Sequence, residues 1–142
     1  MKYHFKVHKA KKGFWAECLE LYGCLTQGED KVHLQLMMED ALAAYLNEPE
    51  NSKHIFPMPD PAIKGRNIIA VSVEAQVAMA MVVRQSRLER KLTQRQVADK
   101  LGMKHIFQYQ KLESGKTANP ELATLVKLKG VFPNLSVDSV LF

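Results

Sequence analysis

At 142 residues the chain has room for one ordinary domain or two small ones. With 46% hydrophobic and 25% charged residues and no low-complexity tract, it reads as a folded globular protein and not as a disordered or fibrous one. Its net charge of +5 is unevenly held: residues 1–74 carry nine basic against ten acidic side chains, residues 75–142 eleven against five.

A basic half joined to a near-neutral one suits nucleic-acid contact by the former and a different partner for the latter, with a solvated basic face as the plainer alternative. Residues 1–12 alternate polar and apolar side chains and contain no signal-type apolar run. The stretch Ile68–Val83 is broken by Ser72, Glu74 and Gln76 before it nears the roughly 18 apolar residues of a membrane span. A cytoplasmic protein is expected. Cys18 and Cys24 form no CxxC pair and have no histidine at ligand spacing, so they are read as two reduced, semi-buried thiols. No metal or cofactor is expected.

Taken in chain order, residues 2–8 alternate, with Tyr3, Phe5 and Val7 on one face of a half-buried strand. Lys9–Gly13 makes a turn into a second strand over Phe14–Leu21, and Cys24–Gln27 a short third one. From Asp30, a plausible N-cap, to about Asn47 the period becomes helical through Leu34, Met37, Met38, Ala41 and Tyr45, and Glu48-Pro49 ends it. A proline-rich loop over residues 49–66 leads to a β-branched strand over Asn67–Val73. The order β-β-β-α-β makes residues 1–74 a small α+β domain with one helix on one sheet face. Residues 75–142 are helical throughout, with helices expected near 76–90, 93–101, 104–112, 120–130 and 136–141.

Within this second half Thr93 is a natural N-cap, Val97, Ala98 and Leu101 share a helix face, and Gly102 offers a left-handed stop. In the helix that follows, placing Tyr109 and Leu112 inward turns Lys104, Phe107, Gln108, Gln110 and Lys111 outward. Such a face suits a DNA major groove: glutamine pairs with adenine, lysine reaches guanine or phosphate, and an aromatic ring covers a thymine methyl. Gln94, opening the supporting helix, is placed to meet a phosphate.

The string Leu92-Thr93-Gln94…Val97-Ala98-Asp99-Lys100-Leu101-Gly102…Lys111-Leu112-Glu113-Ser114-Gly115-Lys116 resembles the phage-repressor (Cro/cI, Xre-type) helix-turn-helix family over about residues 76–132. The resemblance implies an ion pair between Arg87 of the first helix and Glu113 ending the recognition helix. Two departures stand out. Position 91 is Lys where the family often has Gly, so the turn there either avoids the left-handed region or bears its penalty. One extra residue separates Gly102 from Glu113, which leaves the recognition-helix register open by one position.

That longer variant, together with Phe14-Trp15-Ala16-Glu17…Leu21-Tyr22-Gly23-Cys24-Leu25-Thr26-Gln27-Gly28, looks like the HicB-type antitoxins of bacterial type II toxin–antitoxin pairs, over essentially the whole chain. This resemblance implies a partial RNase H-like first domain that binds a HicA-type mRNA interferase toxin. It also implies a helix-turn-helix that dimerises and represses its own operon at a pseudo-palindromic operator, dimer or tetramer being undecided. Trp15, Glu17 and Glu20 are the residues at which toxin contact is expected.

The first domain is expected to be catalytically inert, because a two-metal nuclease needs carboxylates converging on central strands. The first strand has none, and Glu17, Glu20, Glu29 and Asp30 are scattered. His4 and His8 share a strand face and are read as surface side chains. The competing readings are a stand-alone repressor whose first domain senses a small ligand, and an RNase H-like enzyme tethered to DNA.

Overall fold

The computed structural model describes residues 1–49 and 51–142 of the chain. They form two compact units, one of Met1–Leu46 with Phe56–Glu74 and the other of Asn47–Ile55 with Ala75–Phe142. A division at residue 74 does not anticipate that Asn47–Ile55 belongs with the second unit.

In the first unit β1 (Lys2–Lys9), β2 (Phe14–Cys18), β3 (Leu25–Gly28) and β4 (Ile68–Ser72) form one antiparallel sheet in the order β3-β2-β1-β4, with α1 (Lys31–Leu46) between β3 and β4 in sequence. Alternation along β1 sends Tyr3 and Phe5 into the core. Their pairing opposite Val71 and Cys18 makes that face continuous across three strands. From α1, Leu34, Met38, Leu42 and Leu46 are buried, four residues apart, while Met37, Ala41 and Tyr45 are half-buried beside them. The Asp30 carboxylate accepts from the His33 N–H at 2.7 Å, which caps this helix. A single crossover helix usually returns a strand parallel to the first. Here irregular chain after α1 brings β4 back antiparallel to β1.

One detail corrects the expectations for this unit and another adds to them. The second strand ends at Cys18, because the chain turns to carry Glu20 inward, where its carboxylate accepts from the His4 N–H at 2.8 Å. Gly28, at the end of β3, meets α1 so closely that a Cβ would lie 2.5 Å from the Leu34 nitrogen. The glycine closing the Gly-Cys-x-Thr-x-Gly run is therefore a packing requirement.

The second unit contains α2 (Ala75–Glu89), α3 (Gln94–Lys100), α4 (Ile106–Gln110), a 3₁₀ turn over Lys111–Glu113, α5 (Leu122–Val131) and α6 (Asp138–Leu141). Val97, Ala98, Tyr109, Leu128, Phe132 and Leu135 are among its buried core side chains. Helix α4 is shorter than the 104–112 helix expected. Lys104 and His105 stay outside, with His105 extended at φ −117° and ψ 132°, and the last turn tightens to 3₁₀. That tightening buries both Leu112 and Glu113. Among the described residues no helix is long and apolar enough to cross a membrane.

Candidate nucleic-acid interface

The scaffold of the site is local in origin. Thr93 and Gln96 bond reciprocally, the Gln96 N–H donating to Thr93 Oγ1 at 3.1 Å and the Thr93 N–H to Gln96 Oε1 at 2.8 Å, which starts α3 with a capping box. Gly102 at φ 72° stops it, and nothing lies within 4 Å of where its Cβ would be. Lys91 adopts φ 56°, so the turn before α3 holds a lysine in the left-handed region and bears a penalty of about 1 kcal/mol.

Beneath the site Arg87 and Glu113 meet with side chains 7% and 4% exposed. Arg87 Nε donates to both Glu113 carboxylate oxygens at 3.1 and 2.9 Å, its Nη2 to Oε1 at 2.8 Å, and its Nη1 to the Leu92 carbonyl at 3.0 Å. The pair thus ties α2 to the end of the recognition segment and to the turn before α3. Burial works against the Arg87 charge, but the bonds to Glu113 prevail and hold its pKa above the ordinary value. Burial first, then the Glu113 carboxylate, pushes the Tyr109 hydroxyl up.

The outward residues divide into two groups. Lys104, Phe107, Gln108 and Lys111 are exposed, and Phe107, 51% exposed, stacks on His105 at 5.5 Å with the Lys111 Nζ 5.6 Å from its ring centroid. Gln108 Oε1 accepts from the His105 N–H at 3.2 Å, which orients the amide and leaves its NH₂ outward. Gln94 and Gln110 are only half-exposed, and Gln110 donates to Gln94 Oε1 at 3.2 Å. Gln94 Nε2 in turn lies 3.4 Å from Glu113 Oε2. Both amides therefore extend the Arg87–Glu113 network to the surface, unlike the free outward side chains expected. His105 was not anticipated, and histidine is a weak capping signal; the glutamine three residues on is the only local clue.

A cleft of about 320 Å³ beside these residues is lined by Arg84, Gln94, Phe107, Gln110 and Lys111, with Glu48 from the 47–55 segment.

Residues 83–138 match the family model of the helix-turn-helix. The match supports DNA binding and a part in transcription regulation. It spans α3, α4 and the turn between them. Comparison with curated proteins gives no match.

The residues singled out in the first unit differ in exposure. Trp15, 37% exposed, stacks on His8 at 4.1 Å and 16°, and Glu17 Oε2 is 3.6 Å from His8 Nε2. These three alternate onto the sheet face opposite α1. Glu20 corrects the expectation of a shared rim. Its side chain is 5% exposed and accepts from the His4 N–H, His4 Nδ1 at 2.9 Å and the Asp60 N–H at 3.1 Å. His4 is likewise half-buried and bonded, not a surface side chain. Cys18 and Cys24 are buried and unbridged; the Cys18 N–H donates to the Cys24 carbonyl at 2.9 Å, and the interaction of the two side chains pushes the Cys18 thiol down and, with burial, the Cys24 thiol up. Among the described residues no three His, Cys, Asp or Glu side chains converge as a metal site.

Proposed function

We propose that the protein is the antitoxin of a bacterial toxin–antitoxin pair: a cytoplasmic, homodimeric, HicB-type repressor. Its helix-turn-helix unit binds a pseudo-palindromic operator in its own promoter, and its first unit, a partial RNase H-like domain, neutralises a HicA-type mRNA interferase. The observation that carries the reading is the conjunction, in one chain, of a helix-turn-helix segment with a β-β-β-α-β unit bearing the Trp15 and Gly23–Gly28 motifs. In this reading Trp15 and Glu17, on the solvent face of the sheet, meet the toxin, while Glu20 supports them from within by holding β1 and the loop at Asp60.

The first unit acts by binding, not by catalysis. Of its carboxylates, Glu17 faces His8 across the sheet and Glu20 is committed to backbone and histidine donors, so they do not converge on a shared metal. RNA cleavage by toxin-free protein with magnesium, abolished by Glu17→Ala, would overturn this.

The test of the whole is co-expression with the product of the adjoining short reading frame. Rescue of growth and co-purification are expected, and failure of the two proteins to associate would reject the antitoxin reading. A repressor that senses a small ligand has one observation in its favour, a cleft of about 660 Å³ in the first unit lined by Phe14, Trp15, Gln27, His33 and Met37. In that case ligand, and not a protein partner, would alter operator affinity.

A further inference from the structure

The segment Asn47–Ile55 precedes the helix-turn-helix by many residues in sequence, yet it belongs to the same compact unit. It lines a second cleft, of about 630 Å³, on the side of Gln94 that faces the turn before α3. Lys53 enters this cleft from the segment, Lys91 from the turn and Arg95 from α3, with Gln94 and Ile106 at its border with the recognition helix. All three cations are exposed. Among the described residues no carboxylate lines the cleft, and neither Lys53 nor Lys91 has an ion-pair partner. Arg95 has only an exposed 3.3 Å contact to Asp99 one turn on, which is weak and readily exchanged.

We propose that this cleft is a DNA-backbone site, in which Lys53, Lys91 and Arg95 neutralise phosphates of the strand bordering the groove read by α4. The inference rests on the reading of the second unit as a DNA binder and adds a contact element that lies outside the helix-turn-helix motif. Three observations favour it. Like charges lining one cleft that has no carboxylate among its described residues repel one another and favour an anion. The cleft adjoins Gln94 and Ile106, so a duplex engaged by α4 runs past it, as the supporting helix of this motif crosses the backbone. Lys91 keeps a cation at a backbone position that glycine would fill without strain, and strain of that kind marks places where a side chain is needed.

The experiment measures affinity of the full chain for its own promoter duplex and for an unrelated duplex of equal length, between 50 and 200 mM NaCl. Each phosphate contact contributes about 0.9 to the slope of log affinity on log salt, so each lost contact shrinks the affinity change over this range by about 3.5-fold. Lys53→Ala and Lys91→Gly should each lower the slope by about 0.9, equally on both duplexes. Lys53→Arg should retain it, and thermal melting of Lys91→Gly should not fall below that of the unaltered chain.

Unchanged slopes would overturn the proposal. So would tighter binding by Lys53→Ala, which would make the segment an obstruction to DNA. If the unaltered chain binds neither duplex at 50 mM salt, the DNA-binding reading itself fails, an outcome distinct from binding with unchanged slopes.

Discussion

Arg87 and Glu113 show how one residue pair decides local order in this protein. Each is buried, and each satisfies the other through three donor–acceptor contacts. Removing one partner leaves the other charged in a poor dielectric, so Arg87→Ala or Glu113→Ala is expected to cost about 3 kcal/mol in urea unfolding. The double change Arg87→Met with Glu113→Leu should recover much of that loss, because a buried pair offsets its own desolvation only narrowly. A single-variant loss within error of zero would show that the pair is not set as described. Lys91 works in the opposite sense. Replacing this left-handed lysine by glycine should raise stability by about 0.5–1 kcal/mol, a gain limited by the greater freedom of glycine in the unfolded chain.

At the scale of elements, α3 and α4 are too short to persist alone, with seven and five residues, and depend on their ends and their packing. The Thr93–Gln96 capping box is one such end. Thr93→Ala should cost about 1 kcal/mol, measurable by thermal or urea unfolding. On the proposed reading, the exposed side chains of α4 and of the turn before it divide into those that read bases and those that hold the backbone. Gln108→Ala should relax preference at a single base pair by about 1–3 kcal/mol, whereas Lys104→Ala should weaken all sequences alike. Binding selections on randomised duplexes distinguish the two, and an unaltered site preference in Gln108→Ala would move the register by one residue. Gln110, whose amide is held by Gln94, should show a mixed effect, since its loss also loosens the network around Glu113.

For the whole molecule, the basic excess is confined to residues 75–142, the part that contains the helix-turn-helix match. On the reading proposed above, two-fold docking on DNA would use a homodimer whose half-sites lie about one helical turn, or a multiple of it, apart. Footprinting of the promoter with the full chain should show two protected segments at that spacing, and a single half-site bound with equal affinity would argue for a monomer.

Much of this architecture was legible in order of occurrence. Strand alternation in Tyr3–Phe5, the helical stripe from Leu34, and the Thr93 and Gly102 signals around α3 are short-range patterns, set by the periods of 2 and 3.6 residues. The Arg87–Glu113 pair was legible only through family resemblance, since nothing local joins residues 26 positions apart.

What the sequence alone determined was the identity and order of the elements, the basic second half, and the helix-turn-helix with Phe107, Gln108, Lys104 and Lys111 on its outer side. Those depend on the chemistry of neighbours along the chain. Tertiary structure decided the rest. It drew Glu20 inside against His4, joined Gln94 and Gln110 to the buried ion pair, and brought Lys53 to the side of Lys91 and Arg95. Each of these is a meeting of residues distant in sequence, and side-chain partners of that kind are set by how packed elements bring polar groups within bonding distance, which periodicity does not encode.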